Sequence, residues 1–233
     1  MVRAAALCLL LATGPVAAED QCRLALQLAV DVSASVDAAE YRQQLDGIAG
    51  ALIAPEIVTA FLDGPGPVAL SIFEWSGRFQ QDVIIDWTLV TSEETLTTIA
   101  ERVARQTRRH EDFPTALGYA LGFAADRFQR APPCLFQTLD ISGDGQNNDG
   151  FPPGAAYEHF PLEGITVNGL AIGGASRGIE EYYLAEVIRG PGAFVEFAAS
   201  HDDFADAMRR KLERELRVMI LGGLTLPTGQ LPR

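Results

Sequence analysis

The sequence predicts an α/β protein: a doubly wound, mostly parallel central sheet with one antiparallel edge strand and helices on both faces. Three observations lead there. Short apolar runs alternate with amphipathic helical stretches from residue 24 to residue 218, the pattern of a sheet sandwiched between helices. The first run, Leu24 to Asp31 (LALQLAVD), is almost continuously apolar, as a strand covered on both faces should be. Two further runs, Val68 to Trp75 (VALSIFEW) and Asp82 to Trp87 (DVIIDW), are joined by a tight Ser76-Gly77 link and read as a hairpin, which supplies the antiparallel strand.

The elements follow in order. Residues 1–18 (MVRAAALCLLLATGPVAA) carry an early Arg3, an apolar stretch, a Gly14-Pro15 break and small residues at Val16 and Ala18. This is the layout of a secretory signal peptide cleaved after Ala18, and its apolar run is too short to span a bilayer. After the first strand, Asp37 and Glu40 form a capping box, and Tyr41, Leu45, Ile48, Leu52 and Ile53 recur at helical spacing. Leu62 to Pro67 is a turn. Thr91 and Glu94 make a second capping box ahead of Leu96, Ile99, Ala100 and Val103. That helix closes near Arg105 to His110, where cations complement a helix C-terminus; this accounts for Arg102, Arg105, Arg108 and Arg109, with a basic ligand patch as the alternative.

Thr115 opens a helix with Leu117, Ala120, Leu121, Ala124 and Phe128 on one face, stopped by Ala131-Pro132-Pro133. Leu135 to Ile141 is a strand running into the loop SGDGQNNDG. Ile165 to Ile172 is a strand, Ile179 to Ile188 a helix, Ala193 to Phe197 a short strand, and Asp202 to Val218 a helix. Residues 19–218 thus form one domain, followed by an irregular Gly- and Pro-containing tail over 219–233.

Composition narrows the function. With 48% hydrophobic and 21% charged residues the chain is globular. A net charge of -13 argues against nucleic acid and anionic membranes and suits a periplasmic or secreted protein without a membrane span in its mature form. Export would place Cys22 and Cys134 in an oxidising compartment, where two cysteines usually pair. Each precedes a predicted strand, so a disulfide forms if those strands are neighbours; two buried thiols are the alternative.

Ligands of an open parallel sheet bind beyond the carboxyl ends of its strands. Asp31, Ser33 and Ser35 follow the first strand, Thr115 lies where a loop enters a helix, and Asp144 ends the strand from Leu135. Strand alternation puts Asp31, Ser33 and Ser35 on one side while the chain stays extended. Two carboxylates and three hydroxyls form an all-oxygen site for a hard divalent cation, Mg²⁺ (or Mn²⁺ or Ca²⁺). Hydroxyls in direct contact, with carboxylates acting through water, leave the ion electrophilic and ready to take an outside carboxylate.

These residues, Asp31-Val-Ser33-Ala-Ser35, then Thr115, then Asp144 in SGDG, resemble the metal-ion-dependent adhesion site of von Willebrand factor A domains, and the chain resembles a secreted bacterial branch of that family over roughly Cys22 to Val218. The resemblance implies that Ser33, Ser35 and Thr115 contact the metal, that Asp31 and Asp144 hold it through water, and that an acidic residue of a partner protein completes the coordination. Two departures stand out. Phe113-Pro114 replaces the common glycine-rich lead to the threonine, and Gly143 stands where many members have a hydroxyl residue.

Other polar residues have plainer readings. Asn147, Asn148 and Asp149 fit turn chemistry, with partner contacts or a second ion as the alternative. Asp140, inside a buried strand, calls for an ion pair or a capping role. Glu74 reads as a solvated strand end. The rival function is a Mg²⁺-dependent hydrolase. A haloacid dehalogenase-type phosphatase needs a second aspartate two residues after the first, and Ser33 stands there. A serine hydrolase needs a G-x-S-x-G elbow with a histidine; no such pentapeptide is expected here, and His110, His159 and His201 read as surface residues. A metal-free scaffold is the third reading. The favoured one is a binding module, not an enzyme.

Overall fold

The computed structural model describes residues 21–173 and 177–222, without the side chains of 218–222; the expected signal peptide lies outside the described residues. The sheet has six strands, β1 (Leu24–Asp31), β2 (Val68–Trp75), β3 (Gln81–Val90), β4 (Phe136–Gly143), β5 (Ile165–Ile172) and β6 (Val195–Ala198), in the order β3-β2-β1-β4-β5-β6. Every neighbouring pair is parallel except β2 with β3, the antiparallel edge. The fold class read from the sequence is therefore the observed one.

Both faces are covered. The helices are α1 (Ala38–Leu52), α2 (Pro55–Leu62), α3 (Glu93–Ala104), α4 (Leu117–Phe128), α5 (Pro153–His159), α6 (Gly178–Tyr182), which continues into a π turn (Tyr183–Val187), and α7 (Phe204–Gly222). Period-2 alternation divides β1 between two cores. Leu24, Leu26, Leu28 and Val30 pack with Leu45 and Ile48 of α1, Phe61 of α2, Leu96 of α3 and Met208 of α7. Ala25 and Ala29 face the other way, toward Leu117 and Leu121 of α4 and Tyr183 of the π turn.

At the amino ends of β1 and β4, Cys22 and Cys134 form a disulfide. The pairing continues there in the backbone: Leu135 N–H donates to Cys22 C=O (2.9 Å) and Phe136 N–H to Arg23 C=O (3.1 Å).

Several boundaries differ from the sequence reading. α2 and α5 were not expected; both are short and begin with proline, which is pre-set for the first helical turn. The cap of α3 is Ser92, whose Oγ accepts from Thr95 N–H, and not Thr91. Residues 179–188 form no single regular helix, since α6 widens into the π turn. α7 extends to Gly222, four residues past the expected domain end, and residues 223–233 of the expected tail lie outside the described part. Among the described residues, no single helix is long and apolar enough to cross a membrane.

The buried Asp140 has the ion partner its position demanded. Lys211 Nζ of α7, itself fully buried, lies 2.9 Å from Asp140 Oδ1 and 2.7 Å from Glu215 Oε1. Asn168 of β5 donates to Glu215 Oε1 (2.7 Å) and accepts from Phe194 N–H (3.1 Å). One ammonium between two carboxylates therefore ties α7 to β4 and β5. Removing one partner of a buried ion cluster leaves uncompensated charge, which costs about 3–5 kcal/mol. Lys211→Met is expected to destabilise by about that amount in urea unfolding, and Lys211→Met with Asp140→Asn by clearly less.

Candidate metal centre

β1 ends at Asp31 because the chain turns there. Val32 N–H still donates to Trp75 C=O of β2 (2.8 Å), but Ser33 N–H turns back to Asp31 Oδ1 (2.8 Å), the aspartate locally replacing a backbone acceptor. Val36 N–H then closes onto Ser33 C=O (3.0 Å). Asp37 caps α1 at once: its Oδ1 accepts from Ala39 and Glu40 N–H, and Glu40 Oε2 accepts from Asp37 N–H. The capping box read from the sequence is therefore present. The extended conformation expected across Asp31, Ser33 and Ser35 is not: a turn, not strand alternation, brings the two serines to the same side.

The five expected residues meet at the carboxyl ends of β1 and β4. Thr115 Oγ1 donates to Ser33 Oγ (3.2 Å), Ser33 and Ser35 share a hydrogen bond (3.2 Å), and Ser35 Oγ donates to Asp144 Oδ1 (2.6 Å). Asp31, Ser33 and Thr115 are buried, whereas Ser35 is exposed. Burial, and then the Asp144 charge, push the Asp31 carboxyl up to about 7, against hydrogen bonds from Ser33 and the Arg108 charge. Asp31 Oδ2 is buried and has no hydrogen-bond partner among the described residues.

The donor set fits a hard cation. All five side chains present oxygen, a run of three hydroxyls ends on the Asp144 carboxylate, and one carboxylate oxygen of Asp31 is left without a donor. No group of three or more His, Cys, Asp or Glu side chains suited to a metal occurs among the described residues, so the site's character comes from its hydroxyls.

The Phe113-Pro114 lead to Thr115 is held by groups the sequence did not reveal. Phe113 C=O accepts from Ala34 N–H (2.8 Å), and Ser76 C=O from Ala116 N–H (2.8 Å). Asn148 Oδ1 accepts from Thr115 N–H (2.9 Å), while Asn148 N–H donates back to Thr115 C=O (3.0 Å). α4 has no cap from its own N-terminal residue; Asn147 Oδ1 reaches across to Gly118 N–H (3.2 Å) and satisfies that orphan donor. Asp149 pairs with Arg78 of the β2–β3 link at 2.7 Å. Turn chemistry alone is therefore too weak a description of Asn147, Asn148 and Asp149: they fasten the threonine loop from outside.

Arg108 corrects the reading of the basic cluster. α3 ends at Ala104, so Arg108 and Arg109 lie beyond its last turn. The Arg108 guanidinium donates to the carbonyls of Val36 (2.7 Å), Val32 (2.9 Å), Ser33 (3.0 Å) and His110 (2.9 Å), gathering the turn that carries both serines. Below it, the Tyr41 hydroxyl donates to Glu74 Oε1 (2.6 Å), and Gln106 donates to Oε2 (3.2 Å). Glu74 is 2% exposed, not solvated, and burial raises its pKa.

The histidines are not all surface residues. His201 is buried, with Nδ1 3.1 Å from Glu40 Oε1, and His110 Nε2 lies 2.9 Å from Asp82. The expectation that no G-x-S-x-G pentapeptide occurs is wrong by letters alone: Gly174 to Gly178 (GASRG) has that spacing. Gly174, Ala175 and Ser176 lie outside the described residues, and His110 and His201 are bonded to other carboxylates.

Arg108→Lys keeps the charge but loses the planar fork that serves several carbonyls. Chemical denaturation is expected to show that it destabilises by about 1–3 kcal/mol, and Arg108→Ala by at least as much.

Comparisons with known proteins bear on the fold. The structure is similar to proximal thread matrix protein 1 from the mussel byssus with a zinc-occupied MIDAS motif (16% identity, TM-score 0.59, covering 87% of this chain and 48% of that one). It is similar to a von Willebrand factor type A structure from Catenulispora acidiphila (16%, 0.57, 84% and 43%). It is also similar to the von Willebrand factor domain of the type V pili tip protein Mfa5 from Porphyromonas gingivalis (8%, 0.60, 91% and 99%). The chain spans about half the length of the mussel protein. No curated protein sequence matches it. The family described as "Protein of unknown function (DUF1194)" matches residues 21–220. The chain belongs to that family, and its fold is that of von Willebrand factor type A domains.

Proposed function

We propose that the protein is an exported, divalent-metal-dependent protein-binding module of the adhesion type, acting in the periplasm or outside the cell, and not an enzyme. Asp31, Ser33, Ser35, Thr115 and Asp144 would hold Mg²⁺, with Mn²⁺ or Ca²⁺ as substitutes, and an acidic side chain of a partner protein would complete the coordination. The observation that carries this reading is the convergence of those five oxygen-bearing side chains at one rim, with Asp31 Oδ2 buried and unbonded among the described residues. The zinc-occupied motif of the mussel protein and the pilus-tip context of Mfa5 support it by analogy of fold.

Each residue has a task. Ser33 and Thr115, buried and held by the turn and by Asn148, offer hydroxyl lone pairs in fixed positions. Ser35 is exposed and sits where it bridges the rim to Asp144. Asp31 and Asp144 supply the two negative charges that balance a divalent ion. When bound, the cation supplies Lewis acidity toward a carboxylate oxygen.

Metal binding to the folded state alone stabilises it by about 2.7 kcal/mol at 100 times Kd, a rise of about 5–10 °C in Tm for a domain of this size. Mg²⁺ or Mn²⁺ is expected to raise Tm in this way and to give a saturable calorimetric isotherm; Ser33→Ala and Asp144→Asn should abolish both. A metal-free scaffold would show neither effect in the parent protein. On an array of peptides each bearing one Asp or Glu, EDTA is expected to abolish capture, and added salt to weaken it less. Capture that survives both EDTA and Asp31→Ala overturns the mechanism. Metal-loaded protein is expected to leave a generic phosphate ester intact.

A further inference from the structure

Tyr183 is fully buried, and its hydroxyl has no hydrogen-bond partner among the described residues. It shares this condition with Asp31 Oδ2, and the two oxygens crowd the same position, the one a Cβ on residue 143 would take. A Cβ built on Gly143 would lie 2.5 Å from Tyr183 Oη, 2.7 Å from Asp31 Oδ2 and 3.3 Å from Asp31 Cβ. A second glycine accommodates the ring: a Cβ on Gly169 would lie 2.6 Å from Tyr183 Cδ1. Gly143 and Gly169 stand on the paired strands β4 and β5, where Ile141 is opposite Gly169 and Gly143 opposite Ala171. Neither has a positive φ, so backbone conformation does not require glycine at either place. What both provide is room, and Tyr183 occupies it.

The ring is delivered by the π turn, a geometry frequent at functional sites. The neighbouring Tyr182 also faces the centre: its hydroxyl accepts from Asn147 N–H (3.2 Å), on the loop that fastens Thr115.

We propose that the Tyr183 hydroxyl is a positioning group for Asp31, donating toward Oδ2 across Gly143, where no Cβ stands between them. Ser33 N–H already holds Oδ1. A donor on the second oxygen fixes the rotation of the carboxylate, and a phenol donating to an ionised carboxylate in a buried place is a strong hydrogen bond. Tyr183 touches no bound ion in this arrangement; it acts through Asp31, as partners of metal-holding groups commonly do. The inference rests on the proposed metal-binding function and adds a residue to it.

The test is Tyr183→Phe in the full chain, with Mg²⁺ and Mn²⁺ as probes and three readouts. Calorimetry is expected to show metal affinity falling about 10–100-fold, the range for lost partners of metal ligands. The Tm of the EDTA-treated protein is expected to fall only modestly, by the loss of one buried hydrogen bond. Metal addition is expected to perturb the tyrosine absorption band in the parent protein, with that component lost in the variant. A merely structural tyrosine would lower the metal-free Tm and leave affinity alone. If the parent binds metal and Tyr183→Phe binds it equally well, the positioning role is wrong and the metal reading stands. If the parent binds neither ion, both are wrong.

Discussion

The parallel pairing of β1 with β4 is the constraint on which the rest depends. Its register runs from Leu24 opposite Phe136 to Val30 opposite Ser142. On its other side β1 pairs with β2, and β4 with β5, so the sheet order reverses between them and a crevice opens above their carboxyl ends. Asp31 lies one residue past Val30, and Asp144 two past Ser142. At the opposite ends, Cys22 lies two residues before Leu24, and Cys134 two before Phe136. One register therefore brings two sulfurs together below and two carboxylates together above. A slip of one residue would turn every side chain of β1 to the other face, exposing Leu24, Leu26, Leu28 and Val30 to the wrong core and parting both pairs at once.

Convergence of the strand ends is not enough; the loops above them must be held. The backbone groups of the turn after β1 and of the Phe113-Pro114 lead have no ladder to join, and buried polar groups without partners are costly. Side chains from distant segments meet that need: Arg108 for the carbonyls of Val32, Ser33 and Val36, Asn148 for Thr115, and Asn147 for Gly118. None of these is counted among the oxygen donors. Their effect is that Ser33 and Thr115 present hydroxyls from fixed backbone positions, so little ordering would remain to be done for the proposed ligand.

This division explains what was legible in the sequence. Leu24–Asp31 and Ile165–Ile172 were readable to the residue, because strands buried on both faces are continuous apolar runs with sharp ends. Asp31, Ser33, Ser35, Thr115 and Asp144 were readable because each sits at a strand or helix boundary and carries oxygen, and the structure brings all five together. The supporting residues were not. Arg108 follows a helix and looks like a helix-end cation; only the fold shows that α3 stops four residues earlier and that the guanidinium turns to a loop some seventy residues before it. Glu74 ends a strand and looked solvated until Tyr41 and Gln106 covered it. Tyr183 fits an amphipathic helix by spacing, and nothing local shows that a π turn sends it between two strand glycines. Bonds between segments far apart in sequence leave no periodic trace, so pattern reading finds the ends of elements better than what braces them.

The donor set also bears on how an acidic chain could bind an acidic partner. At a net charge of -13 the two would repel at long range, but charges farther apart than about 8 Å are largely screened at physiological ionic strength. The local count therefore decides. In the proposed site Asp31 and Asp144 together would neutralise a divalent ion, and Ser33, Ser35 and Thr115 would add coordination without adding charge. The Arg108 charge acts on Asp31 in the same direction, favouring its ionised form. Were Ser33 an aspartate, as a phosphatase of the haloacid dehalogenase type would have it, three carboxylates would surround the ion before any ligand arrived, and a fourth would meet net negative charge. Under the proposed function, the hydroxyl at position 33 would thus let the site hold a cation and leave it attractive to a carboxylate from outside, and the same hydroxyl stands where phosphatase chemistry of that type would need an acid.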